Sequence, residues 1–246
     1  MKYLSLFLII FTFSCQPPKQ KSLLIYTRNG EGFVHDNIEA SVAALEKMAE
    51  ENNYQVQVTD SPEFFNLENL KEVDCIIFSN TNNEAFTSQE QRDAFKGYIQ
   101  SGGGFVGIHS ASGSERSWPW FWAMVGGKFV RHPELQEFDL KVIHHDNPAT
   151  SFMGETWQWE DECYYLDQLN PDIHVLLAAD LRTVEDETKE DFHRNRFGDY
   201  TPIAWVHEYD GGRQFYTALG HKQEYYSNPQ FLQHLLGGIK WVLEDD

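Results

Sequence analysis

A glycine-rich and apolar segment, residues 102–111, is the feature that most restricts how this chain folds. Three glycines lead into the apolar residues 105–108, and a helix is predicted over residues 114–124 with Pro119 in its first turn. This order predicts a buried strand, a tight turn and a helix, with His109 projecting from the turn. Turns of this kind lie at the carboxyl edge of parallel sheets, where α/β proteins bind their ligands.

Strands and helices alternate through the first half of the chain. The pattern predicts a strand at residues 22–27, a helix at 37–52, a buried strand at 73–79 and a helix at 88–101. Strands predominate later, and the chain closes with a hairpin within residues 203–219 and a helix at 229–243. We therefore expect an α/β fold with a mostly parallel sheet and helices on both faces, forming one domain over residues 22–246.

The amino terminus has the pattern of an export signal. A Lys precedes an apolar run at residues 3–13, and Ser14-Cys15 follows, as in the signal of a bacterial lipoprotein. On this interpretation residues 1–21 are a signal and a tether, and an acylated Cys15 is the only contact with a membrane. We expect an exported protein of a bacterium, either periplasmic or anchored in the outer membrane. Cleavage of an ordinary secretory signal is the alternative.

The charge of the chain argues against one class of partner. Its net charge is −19, and its Lys and Arg residues are scattered rather than clustered. Such a surface repels phosphate backbones, so no nucleic acid is expected as a partner. Neutral sugars, cations and basic partners remain compatible with this charge.

Three histidines follow predicted strands and are candidate metal ligands. His35 follows the first strand, His109 follows the strand at residues 105–108, and His221 follows the strand at residues 214–219. Imidazoles that meet a carboxylate, here Glu162 or Asp161, suit a divalent ion such as zinc. The three histidines lack the short spacing of a zinc motif, and structural roles in their loops are the alternative.

Glu162 is the first candidate for acid–base catalysis, together with His109. Aromatic residues surround it in sequence, so we expect burial to raise its pKa toward neutrality. Asp161 is the alternative catalytic carboxylate, and the sequence does not separate the two. A solvated surface acid is the other interpretation.

Further residues are predicted to contact the substrate. His132 precedes an edge strand near the same rim, and Tyr164 lies two residues after Glu162. Trp118 belongs to an aromatic group that either stacks on a ligand or packs in the core. His35 is a substrate-binding candidate as well as a metal ligand. Ser110 is a candidate nucleophile, although the residue at this place in such turns normally donates its backbone N–H to an oxyanion.

Several separated motifs together resemble the ThuA-like (trehalose utilisation) family. They are His35, Gly107-Ile108-His109, Asp161-Glu162-x-Tyr164, Pro202-x-x-Trp205, Gly212-Arg213-x-x-Tyr216 and Gly220-His221. The resemblance implies a flavodoxin-like fold related to class I glutamine amidotransferases. It also implies a role in carbohydrate catabolism, with a small sugar or keto-glycoside as the ligand.

Glutamine hydrolysis itself is not expected, because a histidine occupies the position where amidotransferases need a thiolate. The leading hypothesis is therefore an enzyme, a lyase or a hydrolase, that acts on a keto-glycoside by His/Glu acid–base or metal-assisted chemistry. The alternative is a carbohydrate-binding lipoprotein without catalysis. Ester or amide hydrolysis through Ser110 is a third hypothesis.

Overall fold

A nine-stranded sheet organises the structure, a computed structural model that describes residues 19–188 and 198–244. Its strands run in the order β2-β1-β3-β4-β11-β10-β9-β6-β7, and β5 pairs separately with β8. The strands are β1 Ser22–Tyr26, β2 Gln55–Thr59, β3 Cys75–Ser79, β4 Gly104–Ile108, β5 Lys128–Arg131, β6 Gln136–Val142, β7 Thr156–Asp161, β8 Tyr165–Asp167, β9 His174–Asp180, β10 Tyr200–Tyr209 and β11 Gly212–Thr217.

The expected α/β fold is confirmed in the half of the sheet that contains β1. There β2, β1, β3, β4 and β11 are mutually parallel, in the strand order of flavodoxin-like folds. The remaining strands, β10, β9, β6 and β7, pair antiparallel. The direction changes at the β10–β11 hairpin, since its two-residue turn, Asp210-Gly211, joins only antiparallel strands.

Helices cover both faces of the parallel half. They are α1 Ile38–Glu51, α2 Leu67–Leu70, α3 Gln89–Gln100, α4 Pro119–Val125 and α5 Pro229–Leu243. Phe105 on β4 contacts Phe95 of α3 and Phe121 of α4. Phe215 on β11 lies on the opposite face and contacts His234 of α5. Because both faces are covered, β3 and β4 are buried along their whole length.

The turn after β4 has the predicted geometry. His109 adopts a left-handed backbone conformation with φ of 51°, and a 3₁₀ turn spans His109–Gly113. The following helix begins at Pro119 rather than at the predicted Ser114. Ser114 instead has an extended backbone and forms a β-bridge with Asn83, which delays the helix.

The predicted signal and Cys15 lie outside the described residues, so the lipid anchor remains a prediction. Among the residues that the structure describes, no helix has both the length and the apolar character needed to cross a bilayer.

Candidate functional site

Three imidazoles and one carboxylate meet at the carboxyl edge of the parallel strands. Each of His35, His109, Glu162 and His221 offers one ligand atom, and these four atoms lie within 4.8 Å of one another. We call these four residues the His/Glu cluster. The three histidines follow β1, β4 and β11, and the carboxyl ends of parallel strands share one edge.

Glu162 comes to this edge from the antiparallel half of the sheet, whose last strand is β7. It follows β7, whose Trp159 ring packs 4.7 Å from that of Tyr225, just before α5, and 5.7 Å from that of Phe231 in α5. The end of β7 lies beside the end of β11, where Asp161 accepts a hydrogen bond from the backbone N–H of Gly220 at 2.8 Å. The antiparallel half of the sheet therefore supplies the carboxylate of the cluster.

His109 is fully buried, and its hydrogen bonds determine its tautomer. Its Nδ1 lies 2.7 Å from the carbonyl oxygen of Ala218, which only accepts, so Nδ1 carries the hydrogen. Its Nε2 faces the cluster, 3.1 Å from Nε2 of His35 and 2.9 Å from the hydroxyl of Tyr164. The hydrogen bond to the carbonyl of Ala218 thus fixes the orientation of the His109 ring. Histidines that bind metals are commonly oriented by a hydrogen bond of this kind from their other ring nitrogen.

His35 is a neutral ring in this environment. Burial, followed by the neighbouring rings of His109 and His221, lowers its pKa to about 3. Its Nδ1 lies 3.3 Å from the hydroxyl of Ser110. Ser110 therefore contacts the cluster through His35.

The two carboxylate oxygens of Glu162 face different histidines. Its Oε2 lies 3.4 Å from Nε2 of His109 and 3.3 Å from Nδ1 of His221, whereas its Oε1 lies 3.5 Å from Nε2 of His132. Burial alone would raise the pKa of Glu162, but the contacts with His109 and His221 outweigh it and lower that pKa below its usual range. The expected shift toward neutrality is therefore wrong. The same carboxylate raises the pKa of His221.

These contacts fit a bound cation. When Nδ1 of His109 carries the hydrogen, its unprotonated Nε2 lies 3.4 Å from the carboxylate of Glu162, and a cation bound by both groups would offset the repulsion between them. Nδ1 of His221 is also buried without a hydrogen-bond partner, although Glu162 lies beside it. Three imidazole nitrogens and one carboxylate oxygen form a ligand set that zinc accepts. The cluster is thus the predicted His35, His109 and His221 set completed by Glu162.

Asp161 has a different structural role from Glu162. Its buried carboxylate accepts hydrogen bonds from the backbone N–H of Gly220 at 2.8 Å and from the indole N–H of Trp159 at 3.0 Å. Burial raises its pKa. Of the two carboxylates that the sequence could not separate, Glu162 lies in the cluster, and Asp161 holds the loop that carries His221.

A cavity of about 280 Å³ opens beside the cluster. His35 and Glu162 line it together with the predicted substrate contacts His132 and Tyr164. Burial raises the pKa of Tyr164 well above its usual range, so its hydroxyl remains a hydrogen-bond donor. Ser110, the candidate nucleophile, lines it too, so the structure brings five of the predicted site residues to one cavity.

Trp118 lies elsewhere. Its ring packs at 5.0 Å from Trp120, 6.1 Å from Phe121 and 6.2 Å from Phe86, and it is not part of the cavity wall. The structure thus places this predicted substrate contact in the aromatic packing that the sequence offered as the alternative.

Five residues that line the cavity were missed in the sequence. They are Phe33, Asn82, Gly113, Arg116 and Phe129. Only Asn82 had a usable signal, because it belongs to the polar run Asn80-Thr81-Asn82-Asn83 directly after the buried strand β3. The other four lie in loops, in the turn after β4 or on the short strand β5, which no periodic pattern distinguishes.

Comparison with known proteins places this arrangement in a family. The model of the ThuA family, described as trehalose utilisation, matches residues 22–242. The chain belongs to the ThuA family. This family match covers all four residues of the His/Glu cluster.

Solved structures share the fold of this ThuA-family chain. A ThuA-like protein from Bacteroides uniformis superposes with a TM-score of 0.71 at 23% identity, covering 94% of this chain and 95% of that one. One from Parabacteroides merdae gives 0.69 at 19% identity, covering 92% and 90%. A β-galactosidase from Rahnella sp. R3 gives 0.56 at 15% identity over 93% of this chain but 32% of its own. No curated protein matches the chain.

Proposed function

We propose that this ThuA-family protein is an enzyme of carbohydrate catabolism that acts on a sugar or keto-glycoside by metal-assisted acid–base chemistry. The observation that carries the proposal is the His/Glu cluster at the turn after β4. A glutamine amidotransferase needs a thiolate at this place. Here Cys75 and Cys163 are both buried, and burial raises the pKa of both thiols, which argues against amidotransferase activity.

The cluster residues would bind the ion, and the cavity would bind the substrate. His35, His109, Glu162 and His221 would hold a divalent cation such as zinc, which polarises a carbonyl oxygen when it is bound. The tight contacts of His109 with Ala218, His35 and Tyr164 orient it as a ligand rather than as a mobile base.

His132 is the residue best placed to move a proton. Its Nδ1 donates to the carbonyl oxygen of Pro133 at 2.8 Å, so Nε2 is free to accept. This Nε2 lies 3.5 Å from Oε1 of Glu162, and the side chain, 35% exposed, reaches both the cavity and solvent. His132 therefore connects the cavity with solvent for proton transfer.

The reaction proposed for a keto-glycoside is a β-elimination. The carbon between the ketone and the glycosidic carbon bears an acidic hydrogen, and His132 removes it. The electron pair of that C–H bond forms a C=C bond, the glycosidic C–O bond breaks, and the leaving oxygen takes up a proton. His132 returns this proton, so the products are an unsaturated keto-sugar and an alcohol.

The test uses purified protein with zinc and a 4-nitrophenyl 3-keto-glucoside, whose cleavage releases a coloured phenol. We expect H132Q, H109A and E162Q each to lower turnover by about 100-fold or more. H145Q, at an exposed histidine, is the control and should retain activity. Unchanged turnover in H109A and E162Q would end the proposal. Calorimetric binding of the glycoside without turnover would instead support the non-catalytic carbohydrate-binding alternative.

We also propose export and lipid anchoring at Cys15. The support is the pattern of residues 1–15 described above. Labelled palmitate should be incorporated into the wild-type protein and not into C15S. Equal labelling of both proteins would contradict the proposal.

A further inference from the structure

Arg116 brings a positive charge to the wall of the cavity beside the His/Glu cluster. Its Nε donates to Oδ1 of Asn83 at 3.0 Å, and its Nη2 lies 3.4 Å from Oδ1 of Asn82. Both partners are neutral amides. They orient the guanidinium without neutralising its charge.

Four of the five other arginines that the structure describes form ion pairs with carboxylates, and Arg28 is the exception. The pairs are Arg92 with Glu115, Arg131 with Asp186, Arg182 with Asp180, and Arg213 with Glu244. Within the described residues, Arg116 forms no such ion pair. In a chain with 38 acidic and 19 basic residues, an arginine at a cavity that is held only by amides has its charge available to a ligand.

The two asparagines are themselves fixed. Nδ2 of Asn82 donates to the carbonyl of Phe33 at 3.2 Å, and Nδ2 of Asn83 donates to that of Glu31 at 2.9 Å. Each amide therefore turns its oxygen toward Arg116. The guanidinium is thus positioned before any ligand arrives, which reduces the entropy lost on binding.

Aromatic rings complete this side of the cavity. The guanidinium lies 5.6 Å from the ring of Phe129, and Phe33 on the rim is 64% exposed. A flat apolar surface next to an oriented cation suits a ring-shaped ligand that bears an anionic group.

We propose that this cavity binds an anionic carbohydrate, whose carboxylate or phosphate contacts Arg116 while its carbonyl end faces the His/Glu cluster. This inference rests on the proposed function for the carbohydrate part and on Arg116 for the charge. The net charge of −19 does not oppose it inside the cavity, because physiological salt screens charges beyond about 8 Å. The carboxylate of Glu162 contacts His109, His132 and His221 and forms no ion pair with Arg116.

Two matched pairs of sugars test the inference by calorimetry with zinc-loaded protein. D-Glucuronate is compared with D-glucuronamide, and D-glucose 6-phosphate with D-glucose, so that the two pairs distinguish a carboxylate from a phosphate. We expect at least one anion to bind about tenfold more tightly than its neutral counterpart. R116Q should abolish this preference, and R182Q, at an arginine paired with Asp180, should retain it.

Equal affinity for anion and neutral sugar, binding of none of the four, or a preference that survives in R116Q would each overturn the inference. Zinc content is measured on the same preparations, and R116Q should retain the zinc of the wild type. An anion preference that depends on Arg116 in a protein that binds no zinc would refute the metal-assisted function and leave the anionic subsite standing.

Discussion

Asp161 and Asn37 hold opposite sides of the same segment, Gly220-His221. The carboxylate of Asp161 accepts from the backbone N–H groups of Gly220 at 2.8 Å and His221 at 3.4 Å. The Nδ2 of Asn37 donates to the two backbone carbonyls, at 2.6 Å and 2.8 Å. Both side chains are fully buried. The position of His221 in the cluster is therefore set by two residues that never reach the cavity.

Replacing Asp161 with Asn should weaken both the fold and the metal site. The amide loses one acceptor oxygen and presents its own N–H groups to backbone donors, so we expect a loss of about 1–3 kcal/mol in unfolding free energy. Metal affinity should fall by about 10-fold to 100-fold, because the loop that carries His221 is released. Urea unfolding and zinc titration measure the two effects. D139N, at a partly exposed aspartate, is the control, and an unchanged zinc affinity in D161N would contradict the positioning role.

Zinc should stabilise the folded protein. Since the four ligands come from distant parts of the chain, the unfolded state lacks the site, and zinc at about 100 times its Kd should add about 2.7 kcal/mol. Thermal unfolding with zinc and with a chelator measures this difference. E162Q should reduce the shift, whereas H145Q should show the full shift. The same melting temperature with and without zinc would count against a metal site.

Buried histidines should make the protein less stable in mild acid. Burial lowers the pKa of His207 and of His234 from 6.5 to about 4. The unfolded chain then binds protons first, so their contribution is complete above pH 6.5 and is lost as the pH falls from 6.5 to about 4. Each residue should cost about 3 kcal/mol across this range.

Urea unfolding between pH 7 and pH 4 measures this loss. H234Q and H207Q should each flatten the dependence of unfolding free energy on pH, and exposed H145Q should leave it unchanged. The explanation fails if both buried variants keep the wild-type slope.

Trp118 and Phe33 should respond in opposite ways to substitution by alanine. W118A removes a ring that packs on Phe86 and Phe121, so we expect a loss of roughly 2 kcal/mol or more in unfolding free energy. F33A removes an exposed ring, so stability should change by no more than about 0.5 kcal/mol. Sugar binding should weaken in F33A and persist in folded W118A. A large loss of stability in F33A would argue that Phe33 supports the fold.

Sequence patterns located most of the cluster but not its complete composition. Hydrophobic patterns show where the strands before His35, His109 and His221 end. Because parallel strands end at the same edge of a sheet, these three histidines are expected to lie close together. Asp161 and Glu162 were inseparable, since neighbours at the end of a strand point to opposite sides and the sequence does not show which side meets the cluster. The tertiary contacts decide it, because Asp161 binds the backbone of Gly220 whereas Glu162 lies beside His109 and His221.

By itself, the sequence determined the α/β fold, the turn that places His109 at the carboxyl edge of the sheet, and membership of the ThuA family through motifs in order. These depend on local periodicity and turn chemistry, which neighbouring residues encode. Only the tertiary structure decided that Glu162 joins the cluster, that Trp118 packs away from it, and that amides hold Arg116. Such contacts join residues that are far apart in the chain, and they form only when the sheet and its loops pack together.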